Sequence, residues 1–140
     1  MTTAAQIPLG RKHASRIAIV LVALLGIVAF TVRTCQLRDR QSGLETTLLW
    51  TGLRNYPVPT EQIKIDHRGS MFTREFNVHF QTSPNAVERW LSESDCTATI
   101  TPEVTGTIRT YKLKPAGGAQ FAEVRFDTQT GDVWIRTYWS

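Results

Sequence analysis

No acidic residue precedes Asp39 in this chain of 140 residues. Up to Arg40 the basic residues Arg11, Lys12, Arg16, Arg33, Arg38 and Arg40 face that one acid, a net of +5. From Gln41 onward 10 basic residues face 11 acidic ones, a net of −1. The overall basic excess therefore belongs to the flanks of one N-terminal segment and not to the rest of the chain. A near-neutral domain lacks the basic surface on which nucleic-acid affinity rests, so no nucleic-acid partner is expected.

Cysteine is also scarce. Cys35 and Cys96 are too few for a disulfide-stapled scaffold and stand at no metal-ligand spacing. Three states remain open for them: two free thiols with Cys96 buried, a bridge between the two, and intermolecular pairing or acylation of Cys35. Catalytic signatures are missing as well: the chain has no G-x-S-x-G elbow, phosphate loop, dinucleotide fingerprint or H-E-x-x-H helix. Lys114 with Gly117 and Gly118 reads as a hairpin turn, since no Gly-Lys-Ser/Thr follows. His67 and His79, with Asp66 or Cys96 as companions, read as surface residues rather than metal ligands. Glu88 and Glu93 fall on the solvated side of a helix, without the enclosure that shifts a carboxyl into general acid–base work. No catalytic, cofactor-binding or metal residue is nominated, no cofactor is expected, and the expected class is non-enzymatic.

The strongest positive signal is IAIVLVALLGIVAFTV, Ile17 to Val32, which carries no charge. As a helix it spans roughly 24 Å, short of a hydrocarbon core of about 30 Å. Arg16 and Arg33 bracket it, and long cationic side chains that snorkel to the headgroups extend the effective span. A cleaved signal peptide is the competing reading, but its best cut site, Ala29-Phe30-Thr31, is a poor match. A lipoprotein site at Cys35 fails on Arg33. The expected organisation is thus a basic tail over 1–16, a single transmembrane signal anchor over 17–32 in contact with lipid, a polar connector over 33–43 and a soluble domain over 44–140. Three basic residues flank each side of the span, and the α-amino group and Asp39 tip the balance toward an N-terminus inside and a domain outside the cytoplasm.

Within the domain, Leu44, Leu48, Leu49 and Leu53 recur at helical spacing, with Tyr56-Pro57-Val58-Pro59 as the expected stop. Ile63 and Ile65 alternate with Lys64 and Asp66, and Arg68-Gly69-Ser70 reads as a turn. Thr73 to Thr82 then places Phe76, Val78 and Phe80 on one strand face and Glu75, Asn77, His79 and Gln81 on the other. Ser83-Pro84 reads as N-cap and first helical residue of a helix ending near Ser94, with Val87, Trp90 and Leu91 as its apolar stripe. Cys96 to Thr105 reads as loop. Three strands follow: Thr107 to Lys114, with Tyr111 and Leu113 in one row; Gln120 to Asp127, with Ala122, Val124 and Phe126 together; and Asp132 onward, with Val133 and Ile135 inward. Gly131 closes the last hairpin. The expected fold class is α+β, an antiparallel sheet of four or five strands packed on one helix.

PAGGAQFAEV followed by TGDVWIRTYWS resembles the C-terminal half of small uncharacterised bacterial membrane-anchored proteins. The hairpin FDTQTGDVWI is similar to the closing hairpin of PepSY and other cystatin-like domains, in which a helix precedes three antiparallel strands. The likeness covers Ser83 to Trp139 and concerns topology. Such modules are associated with inhibition or chaperoning of exported enzymes, and this is what the resemblance implies.

If Val133 and Ile135 face the helix, Trp134, Arg136 and Tyr138 face away from it, beside Glu123 and Arg125 and in line with Glu75, Asn77 and His79. Exposed aromatics among mixed charges have the makeup of a protein interface. Trp134, Arg136, Tyr138, Arg125 and Glu123 are the candidate surface for an unknown protein partner. The plain alternative is a solvated face held by cross-strand Glu–Arg and aromatic–Arg pairs. The leading expectation is a membrane-tethered interaction module, inhibitory or assembly-related. A small ligand-binding domain or enzyme with a cleft between helix and sheet, and an accessory subunit of a membrane complex, are the alternatives.

Overall fold

The computed structural model describes residues 11–70 and 72–140, with side chains from Leu21 onward. Most of the expected basic tail over 1–16, including its first ten positions and the side chains of Arg11, Lys12 and Arg16, lies outside the described residues. The chain divides into two compact units between Asp39 and Arg40.

In the first unit the backbone is helical from Arg11. This helix, α1 (Arg11–Thr51), is continuous through the charged stretch 33–43 and supplies the opening residues of the second unit. The polar connector is therefore helix as well, because Arg, Leu and Gln dominate it and no proline interrupts. From Leu21 the helix includes an 18-residue stretch of mean hydropathy 1.5, none of it buried by protein. Leu21, Val22, Leu25, Ile27 and Phe30 are each more than half exposed. The hydroxyl of Thr31 donates to the carbonyls of Ile27 and Val28 at 3.0 and 2.9 Å, which satisfies the one polar side chain of the uncharged run, next to its end at Val32. One helix near the N-terminus is thus long and apolar enough to cross a membrane.

The second unit is an α+β fold: a six-stranded antiparallel sheet with helices packed on one face. Its strands are β1 (Lys64–Ser70), β2 (Thr73–Gln81), β3 (Glu103–Thr105), β4 (Ile108–Lys112), β5 (Phe121–Asp127) and β6 (Asp132–Trp139), in the spatial order β1-β2-β6-β5-β4-β3. The helices are the end of α1 from Arg40 to Thr51, α2 (Pro84–Glu93) and the single turn α3 (Asp95–Ala98). The inner sheet face carries the alternating set read from the sequence. Phe76, Val78, Phe80, Val124, Phe126, Val133 and Ile135 are all 5 % exposed or less. Burying one such side chain fully stabilises the fold by about 1.5–3 kcal/mol. Leu44 from α1 and Val87, Trp90 and Leu91 from α2 join this core, as do Leu53, Ile63, Tyr111, Leu113 and Ala122. Trp50 packs on Phe76 with ring centroids 5.3 Å apart, and Trp90 meets Phe80 edge-on at 5.6 Å.

Local chemistry sets the helix ends. Ser83 caps α2, its Oγ accepting from the Ala86 N–H at 3.3 Å, and Pro84 takes the first helical position as expected. α1 stops earlier than its proline-based expectation. Gly52 adopts a left-handed φ of +71°, and its N–H returns to the Leu48 carbonyl at 2.8 Å, so a glycine cap ends the helix before the prolines are reached. Three further readings are corrected. Arg68-Gly69-Ser70 is strand rather than turn, paired with Glu75, Arg74 and Thr73, and the reversal falls beyond Ser70. The stretch Cys96–Thr105 holds the end of α3 and all of β3, and β3 is the sixth strand. The sheet carries more than one helix on its inner face, because Leu44, Thr47, Trp50 and Thr51 of α1 are buried there with α2.

Candidate functional site

The outer sheet face is built by the other half of each strand's alternation. β6 lies between β2 and β5, so its outward residues form three cross-strand rows. Trp134 sits between His79 and Arg125, Arg136 between Asn77 and Glu123, and Tyr138 between Glu75 and Phe121. All five nominated residues, Trp134, Arg136, Tyr138, Arg125 and Glu123, thus share one face.

Each row has its own bonding. In the first, the His79 ring stacks on the Trp134 indole at 5.4 Å and 23°, and His79 Nε2–H donates to Asp132 Oδ1 at 2.9 Å. From the second to Glu75 of the third, Arg136 Nε–H donates to Glu75 Oε1 at 2.8 Å, while Asn77 donates to the same oxygen at 3.1 Å. In the third, Phe121 and Tyr138 stack at 5.0 Å and 11°, and the Arg136 guanidinium lies 5.8 and 5.7 Å from their ring centres. Arg136 therefore joins the polar and aromatic rows, a cation held over two ring faces and against a carboxylate.

These contacts leave a signature on the acids. Asn77 first, then Arg136, hold the Glu75 carboxyl below its ordinary value by hydrogen bonding to the charged form. Asp132 is lowered likewise, by the Thr130 hydroxyl and then by His79. Both acids keep part of their side chain open to solvent on the sheet face, so the shifts record hydrogen bonds of fixed geometry.

A groove of about 540 Å³ runs along this face, open to solvent, with Trp134, Arg136, Arg125 and Glu123 in its lining. Tyr138 lies outside it, in a smaller adjoining depression with Arg74 and Trp139. The sequence reading missed three contributors to the groove: Lys64 and Asp66 from β1, and Ile108 from β4. The signal for the first two was present, since Lys64 and Asp66 alternate with Ile63 and Ile65. Trp134 is 38 % exposed.

The other nominated features lie apart. A depression between α2 and β4 is bordered by Leu91, Thr97, Ile100 and Tyr111, and there Glu88 accepts from Arg109 at 3.0 Å. His67 rests edge-on against Phe76 at 5.6 Å on the inner side of β1. Among the described residues no three His, Cys, Asp or Glu side chains converge as a metal site needs. Cys35 is an exposed free thiol; Cys96 is half-buried, and burial raises its pKa above the ordinary thiol value. Comparison with protein-family models, with curated proteins and with solved structures yields no match to this chain.

Proposed function

We propose that this protein is a membrane-tethered, non-enzymatic interaction module in which α1 crosses a bilayer and the outer sheet face receives a protein partner in or at the same membrane. The observation that carries the reading is the outer face itself. It places two aromatics and an arginine in adjacent rows beside an open groove, with charges of both signs around it, and Trp134, Arg136 and Tyr138 are held in place by stacking and ion pairing across the strands. Tyr, Trp and Arg dominate binding energy at interfaces, and side chains already fixed lose little entropy on docking. Tethering adds to this, because confinement in one membrane raises the effective concentration of the partner. An inhibitory or assembly role fits a face that binds without reactive groups.

The anchor reading rests on the exposed apolar run and its cationic flanks, and the charge balance across the span favours the domain outside the cytoplasm. Full-length protein is expected to stay in the membrane pellet after alkaline carbonate extraction. Release into the supernatant, or an N-terminus starting within or after 17–32, overturns the tether. A cysteine placed at the exposed Gln129 is expected to react with an impermeant thiol reagent in intact cells.

For the face, a photo-crosslinking amino acid at position 134 in living membranes tests the reading directly. A discrete adduct with one protein, lost on Arg136→Ala and absent when the probe sits at Gln129, is expected. No adduct at position 134 from a folded, membrane-bound chain rejects it.

A further inference from the structure

The sheet ends in two unlike edges. β3, at one side, is three residues long, and so short an edge offers little template for pairing. β1, at the other, runs for seven residues, all exposed except the half-buried Ile65. Among the described residues β2 alone pairs with it. Arg40 donates to the carbonyls of Thr60 and Ile63, just ahead of the strand. Among the described residues no hydrogen bond outside the β1–β2 ladder reaches the backbone groups from Lys64 to Gly69, and Ser70 N–H is met by the Thr73 hydroxyl.

The outward side chains of β1 are Lys64, Asp66 and Arg68, in the sign order plus, minus, plus, and Arg68 already donates to Asp66 at 3.0 Å. This pattern selects among partners. Two β1 strands can join antiparallel about a two-fold axis normal to the sheet, which keeps the helices of both copies on one side. Only residues of the same parity then stand opposite each other. An axis through Asp66 sets Asp66 against itself and Lys64 against Arg68. An axis through Arg68 sets Arg68 against itself. An axis through His67 sets Asp66 of each copy against Arg68 of the other, twice over, and Ile65 against Gly69. That register also pairs Lys64 with Ser70 and uses the full strand.

We infer that β1 is a self-association edge: two copies of this chain pair their β1 strands antiparallel about His67, joining two six-stranded sheets into one. Main-chain hydrogen bonds supply the attraction, and the charges disfavour the registers about Asp66 and Arg68; an axis through Ile65 also opposes Lys64 to Asp66, but it sets Arg68, Gly69 and Ser70 against the 3-10 turn Thr60–Gln62 and so wastes half the strand. Indiscriminate strand addition is resisted by the same charges, which is how exposed edges are kept from aggregating. The inference rests on the edge alone and stands or falls separately from the partner surface on the outer face. If both hold, the joined sheet presents two such faces side by side.

The test uses the full chain in phospholipid vesicles, with Cys35→Ser and Cys96→Ala removing the native thiols. Opposed residues in an antiparallel pair have Cα atoms about 4.5–5.5 Å apart, inside the range of about 4.4–6.8 Å that a disulfide spans. His67→Cys is the one position in the strand opposed to itself, so oxidation is expected to give a covalent dimer there. Asp66→Cys and Arg68→Cys, each displaced from its own copy by a diagonal, are expected to give far less. Reversing one charge, Asp66→Arg or Arg68→Asp, is expected to lower the dimer yield of His67→Cys by about tenfold, because both reciprocal pairs become repulsive. The double change Asp66→Arg with Arg68→Asp restores the opposition and is expected to restore the yield. Equal crosslinking at 66, 67 and 68, a failure of the double change to rescue, or crosslinks from position 67 mainly to a different protein each overturns the proposal.

Discussion

The two faces of the sheet are made by the same strands and differ in nearly everything else. On β6, Val133, Ile135 and Thr137 are at most 1 % exposed, whereas Trp134 and Arg136, one residue away in each direction, are open to solvent. The inner face is held by area removed from water and by shape. The outer face is held by oriented pairs in high dielectric, each worth a few tenths of a kcal/mol to about 1 kcal/mol. Fold stability therefore resides on one side, and the other side is free to vary without loss of the core.

Substitutions on the two faces put that contrast at risk. Phe80→Ala, deep in the inner face, is expected to cost about 3–5 kcal/mol in urea denaturation of the full chain; a loss under about 1 kcal/mol would mean that the inner face is not the main source of stability. Gly131→Ala tests the hinge between β5 and β6. Its φ is +75° and an added Cβ would stand 1.7 Å from the Thr82 carbonyl oxygen. A cost on the order of 1–3 kcal/mol is expected from the strained backbone, with more if β2 is pushed aside. Trp134→Ala, on the outer face, is expected to cost less than about 1 kcal/mol, so that any larger loss in partner crosslinking reports binding and not unfolding.

The smallest effect lies in acid. Glu75 and Asp132 have folded pKa values below their ordinary ones, so their favourable contribution is present above the unfolded-state pKa of about 4 and disappears as pH falls through the folded values. Carboxyl NMR titration is expected to find both acids depressed, with Asn77→Ala and Arg136→Ala each raising the Glu75 pKa. No response of Glu75 to either change would mean that these cross-strand bonds are not held in solution.

What the sequence disclosed follows the same division. Period-two alternation marked β2, β5 and β6 because each buries one face completely, and once β6 was phased by Val133 and Ile135 the outward set of Trp134, Arg136 and Tyr138 followed. β3 left no such trace, since Glu103, Val104 and Thr105 are all exposed and no alternation exists to detect. Gly69 imitated a turn while serving as strand; it lies so close to the Thr73 carbonyl that a Cβ would sit 2.0 Å from that oxygen. Gly43 also looked like punctuation between connector and domain. It is instead a contact point inside α1, where a Cβ would come 2.9 Å from Ile65 Cδ1. The joining of Lys64 and Asp66 to the groove, and of His79 to Asp132, depended on registers between residues far apart in the chain, which no local pattern encodes.

The sheet order also governs how this unit comes into being. β6 is the latest strand in the sequence and yet hydrogen-bonds to both β2 and β5. Until Asp132–Trp139 leaves the ribosome, the β1–β2 hairpin and the β3–β4–β5 meander have no common neighbour, and Phe76, Val78, Phe80 and Val124 lack the strand that stands beside them in the finished sheet. A nascent chain whose apolar helix is already available for membrane insertion thus carries an unfinished, adhesive domain behind it. Its maturation depends on a late zippering step, and a premature stop before Asp132 would leave two raw sheet edges where the centre should be.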